Sequence, residues 1–124
     1  TPETHHIVNA DTLARAKRGA LLINTSRGGL VDTEAAIEAL KSGQLGGLAI
    51  DVYEQEADLF FRDLSNTIVA DDVFQRLLSF PNVIVTGHQA FFTEEAITTI
   101  CETTINSVSE FAEGRPLTNE IKAG

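Results

Sequence analysis

The chain has a single cysteine, Cys101, and half as many basic side chains as acidic ones, 9 against 18. One thiol excludes both a disulfide framework and a cysteine-based zinc site. Cys101 falls on an apolar helical stripe, which predicts a buried, inert thiol. The formal charge of −9 argues against nucleic acid or an anionic membrane as a partner. An anionic substrate would need local positive charge to offset that field. No apolar run is long enough to span a bilayer and no signal-peptide pattern is present, so the expectation is a soluble, cytoplasmic chain. An initiator methionine and a strand ahead of Thr1-Pro2-Glu3 are also missing, from which we expect the C-terminal part of a longer protein. A length of 124 residues with 43% hydrophobic content suffices for one core, hence one domain or part of one.

What is present alternates. Residues 1–7 read as extended or loop, and His5 and His6, being adjacent, cannot face one another on a helix; exposed or partly packed rings are expected there rather than a metal pair. Asn9 is placed to cap a short helix running to Arg18, with Gly19 as its stop, followed by a strand over Ala20–Asn24. Asp32 caps a second helix that buries Ala36, Ile37 and Leu40 and stops at Gly43. Residues 45–52 are apolar without alternation, the pattern of a strand covered on both faces of a parallel sheet, and their glycines suggest close approach of another backbone. A long connection, 53–70, leads to a helix capped by Asp71, a β-branched strand at Val83–Thr86, and the longest helix, capped by Thr93 and stopped at Gly114. Alternation of this kind specifies an α/β fold: a parallel sheet of about three strands with flanking helices, plus a long C-terminal helix.

In such a sheet the strand ends are where ligands bind. Arg27 follows the first strand in a turn through Gly28 and Gly29, Asp51 ends the second, and His88 follows the third. An arginine there either holds a carboxylate bidentately or forms a surface salt bridge, and spacing alone leaves both open. Together the three groups make sense as a hydride-transfer site. The arginine holds a carboxylate and polarises a carbonyl, an imidazole moves the accompanying proton, and a carboxylate, Glu54 or Glu56, favours the imidazolium.

Asn24-Thr-Ser-Arg-Gly-Gly-Leu-Val-Asp32, Gly47-Leu-Ala-Ile-Asp-Val-Tyr-Glu-Gln-Glu56 and Gly87-His-Gln-Ala90 closely resemble signatures of the D-isomer-specific 2-hydroxyacid dehydrogenases. Asp58-Leu-Phe-Phe-Arg-Asp63, Asp71-Asp-Val-Phe74 and the residues after Gly87 are similar to the bacterial D-lactate branch. The resemblance implies a Rossmann-like fold, NAD as cofactor, and pyruvate or D-lactate as the small-molecule substrate of a homo-oligomeric full-length protein. It implies that residues 1–92 are the C-terminal half of the NAD-binding domain and that 93–124 form a helix and tail packing on a substrate domain. Arg27 then binds substrate, Glu56 rather than Glu54 pairs with the catalytic histidine, and His88 is the acid/base. Thr4, Thr25, Ser26, Arg27, Asp51, His88 and Ala90 fall at cofactor contacts, and Phe91 on the substrate side. No Gly-x-Gly-x-x-Gly is present. The alternatives are a dehydrogenase of another D-2-hydroxy acid and a non-catalytic NAD-binding corepressor. The fragment alone is expected to be inactive.

Overall fold

The computed structural model describes residues 2–55 and 71–122. They form two compact units, Thr1–Gln89 and Ala90–Gly124. The first holds three parallel strands in the order β1-β2-β3, with β1 at Ala20–Asn24, β2 at Leu45–Ile50 and β3 at Val83–Val85. Its helices are α1 (Ala10–Ala14), α2 (Thr33–Lys41) and α3 (Asp72–Leu78); the second unit is built on α4 (Glu94–Ala112).

Each helix begins at the residue whose side chain can satisfy its orphan amides. Asn9 accepts from the amides of Asp11 and Thr12, Asp32 from Ala35, Asp71 from Phe74 and Thr93 from Ala96. The first helix ends at Ala14, well short of Arg18. Its last turn is replaced by a tight turn in which the Ala16 N–H bonds to Leu13 O and the Ala20 N–H to Lys17 O, which aims the chain into β1.

The core lies on one face of the sheet. Leu48 and Ile50 of β2 pack against Ala36, Ile37 and Leu40 of α2 and against Phe74 and Leu77 of α3, with Leu77 fully buried. β2 itself is covered on both sides over most of its length, with Leu48 and Ile50 buried toward the helices and Gly47 buried and Ala49 half-buried on the other side, whereas the outer strands are open there among the described residues. Leu21, Ile23 and Ile84 stand on the other face and are 73%, 68% and 66% exposed. The cause is topological: successive crossovers of one hand that advance in one direction along a sheet lay their helices on the same face. The glycines of β2 do mark close approach. A Cβ on Gly46 would lie 2.5 Å from the Gly19 carbonyl oxygen, at the point where the β1–β2 register shifts.

In the second unit α4 buries none of its residues, and Cys101 is exposed rather than buried. Within this unit, among the described residues, the apolar stripe of α4 is uncovered, since periodicity marks which face is apolar and not what packs on it.

Tyr53 links the sheet to α3. Its ring packs on Phe74 at 5.0 Å between centroids, and its hydroxyl donates to Asp71 Oδ2 at 2.8 Å. Burial, and then the Asp71 carboxylate that accepts the hydroxyl, push the phenol well above its ordinary value. The folded state thus binds the phenol proton more tightly than the unfolded chain does. The contribution of this group is intact below pH 10 and falls as pH rises beyond it. In the full-length protein we expect Tyr53→Phe to flatten the loss of stability above about pH 10, measured as urea midpoints across pH. Truncation of the fully buried Leu77 to alanine is expected to cost about 2–5 kcal/mol in the same denaturation measurement.

Candidate active site

The three strands run parallel, so their carboxyl ends lie along one edge, and Asp51 sits at the centre of it. This residue follows β2, is 3% exposed, and joins its neighbours on both sides. Its amide donates to Asn24 O at the end of β1, at 2.9 Å, and its carbonyl accepts the His88 amide at 2.7 Å. Its carboxylate Oδ1 accepts the Gln89 amide at 2.8 Å and the Thr86 hydroxyl. A buried carboxylate is tolerated only with such donors around it, and here they come from the loop that carries His88.

That loop is strained. His88 has φ +54°, in the left-handed region that a residue with a Cβ seldom occupies. Such a conformation costs about 1–3 kcal/mol. One hydrogen bond to a charged acceptor contributes about 1.5–3 kcal/mol, so the Gln89 amide on Asp51 offsets the strain. His88 itself is half-buried.

Arg27 stands at the end of β1 in a turn held by two devices. Asn24, buried at the last position of the strand, accepts the Ser26 amide on Oδ1 (3.1 Å) and donates from Nδ2 to Arg27 O (2.9 Å). Next to it, Gly28 lies so close to the following strand end that a Cβ would fall 2.1 Å from the Tyr53 carbonyl carbon. Only glycine allows that approach. The Arg27 guanidinium is at the surface, where Nη1 donates to Ser26 O at 2.7 Å. A hollow beside it is lined by Thr4, His5, Ser26, Arg27, Gly29 and Leu30, and Thr25 is exposed next to it. Thr4, Ser26 and Arg27 thus share one hollow, and Asp51 and His88 lie along the same sheet edge as Arg27.

Glu56 lies outside the described residues. Glu54 is committed elsewhere: Oε1 accepts from the amide and hydroxyl of Thr33, at 3.2 and 3.0 Å, and Oε2 lies 3.1 Å from His6 Nε2. Ala90 and Phe91 open the second unit, where the Phe91 ring meets Phe92 edge-on at 6.2 Å. Sequence reasoning missed Asn24 and Thr86 as the residues that hold the site's turns. The signal for Asn24 was available, since a polar residue closing an apolar strand must find partners on burial.

The polar groups along this edge are the hydroxyls of Thr25 and Ser26, which donate or accept, the Asp51 carboxylate, which accepts, and the His88 imidazole. The chain contains no glycine-rich loop for the phosphates.

Residues 1–90 match the family model described as "D-isomer specific 2-hydroxyacid dehydrogenase, NAD binding domain". The "2-hydroxyacid dehydrogenase homolog 2" of Schizosaccharomyces pombe is 60% identical over 111 residues, 90% of this chain and 33% of that protein. The D-lactate dehydrogenase of Escherichia coli is 50% identical over 121 residues, 98% of this chain and 37% of that protein. Among solved structures, a D-lactate dehydrogenase from Treponema pallidum superposes with a TM-score of 0.90 at 36% identity, covering 99% of this chain and 37% of that one. The chain therefore spans about a third of the length of the curated relatives it matches. Because the matched model runs through all three strands and the turns that follow them, the chain belongs to the D-isomer-specific 2-hydroxyacid dehydrogenase family and carries part of its NAD-binding domain.

Proposed function

We propose that the full-length protein is an NAD-dependent D-2-hydroxyacid dehydrogenase that reduces pyruvate to D-lactate. The observation that carries this reading is the placement of Arg27, Asp51 and His88 after the carboxyl ends of three adjacent parallel strands. The D-lactate dehydrogenases among the relatives support the choice of substrate.

NADH, when bound, supplies the hydride that goes to the carbonyl carbon. The chain's own residues do the rest. Arg27 holds the substrate carboxylate through its planar fork of donors and polarises the carbonyl. The proton that balances the hydride passes from the His88 imidazolium to the carbonyl oxygen, giving the alcohol, and the reverse reaction returns it. In this reading Glu56 is the carboxylate partner assigned to that histidine. Asp51 acts on the histidine's position, because its carbonyl and carboxylate fix the backbone of residues 88 and 89. Thr4, Thr25, Ser26 and Ala90 line the cofactor side in this reading, and Phe91 the substrate side.

Following NADH oxidation by pyruvate on the full-length protein tests the assignment. His88→Gln is expected to lower kcat by about 10²–10⁴-fold. Arg27→Gln should raise KM for pyruvate as well as lower kcat, since it removes both binding and polarisation. Near-normal turnover in either variant would remove the proposal. Gly28→Ala, which drives a methyl group into the Tyr53 backbone, is expected to destabilise the protein by about 1–3 kcal/mol and to weaken pyruvate binding.

A further inference from the structure

Residues 1–7, read from the sequence as extended or loop, contain a 3-10 turn at Pro2–Thr4 that leads into a turn at His5 and His6, two adjacent residues whose rings would be expected to diverge. They do not. His6 has φ +50°, one of two residues other than glycine with a positive φ among those described. Its backbone is held there from both ends: its amide donates to Gly29 O at 2.9 Å, and its carbonyl accepts Asn9 Nδ2 at 2.9 Å. The result is two imidazoles stacked at 3.8 Å between centroids, with their planes 25° apart. Backbone strain that brings two metal-ligating rings together is a pointer to a site.

The third group comes from a distant part of the chain. Glu54, in the turn after β2, presents Oε2 3.1 Å from His6 Nε2, and one ligand atom from each of His5, His6 and Glu54 lies within 4.8 Å of the others. The carboxylate is anchored from behind, since Oε1 takes both hydrogen bonds of Thr33 at the start of α2. That is the supporting shell by which proteins orient a ligating carboxylate. His5 is exposed, so its ring can swing inward to the spacing of about 3.3 Å that ligand atoms 2.0–2.1 Å from one ion require.

We propose that His5, His6 and Glu54 bind one divalent transition-metal ion of the zinc or copper class, leaving an open position for water. Two imidazoles select such ions over calcium and magnesium, which take oxygen ligands. Binding replaces the hydrogen bond between His6 Nε2 and Glu54 Oε2, and each ring nitrogen that holds the ion does so through its lone pair. The site adjoins the hollow that contains Arg27, because His5 lines both. An ion there adds positive charge beside a candidate anion-binding turn in a chain of formal charge −9. The proposal stands on this geometry alone and does not depend on the dehydrogenase reading.

Zinc titrated calorimetrically into the chelator-stripped full-length protein, and the visible absorption of cobalt bound in its place, test it. The wild-type protein is expected to bind one more ion per chain than His5→Gln does, and Glu54→Gln to weaken that site at least about tenfold. His88→Gln, which alters the third histidine of the chain, should leave the site unchanged. His5 is exposed, so His5→Gln keeps the fold and the comparison interpretable. Equal zinc stoichiometry and affinity in wild type and His5→Gln, or loss of the site in His88→Gln instead, would overturn the proposal.

Discussion

One buried carboxylate organises the functional edge of this protein. Asp51 ends the central strand, and a central strand is the only place from which a residue can reach both neighbours at once. Its main chain takes the last position of β1 on one side and His88 on the other. Its side chain takes Gln89 and Thr86. The requirement that a buried charge be surrounded by donors thus dictates the path of the loop after β3. The unfavourable φ of His88 is a consequence of that path, sustained by the bonds that create it.

The turn at Arg27 obeys a second, steric constraint. Gly28 lets the chain touch the Tyr53 backbone, Tyr53 is fixed by its hydroxyl on Asp71, and Asp71 caps α3. A contact sequence therefore runs from the arginine turn into the helix layer that forms the core. Asn24 completes it from the strand side. The guanidinium rests on a rigid backbone and stays accessible at the surface, an arrangement suited to a group that binds anions in one orientation.

Much of this was legible in the residues. All four helix starts, at Asn9, Asp32, Asp71 and Thr93, were readable because capping is local chemistry, decided within three residues. The parallel sheet was readable from the alternation of apolar strands with helical periodicity, and the glycine in β2 from its position in such a strand. Burial was less so. The apolar stripe of α4 suggested a hidden Cys101, yet periodicity records which face of an element is apolar and not what packs against it.

The residues by themselves determined the family resemblance, the order of the elements and the chemical identity of Arg27, Asp51 and His88, since each depends on near neighbours in the chain. Only the tertiary structure decided where side chains distant in sequence meet. It turned Glu54 toward His6 and Thr33, stacked His5 on His6, and made Asp51 the acceptor for residues 86 and 89. The physical reason is that such partnerships depend on backbone conformations, two of them in the left-handed region, which long-range hydrogen bonds stabilise and which no local propensity of histidine would select.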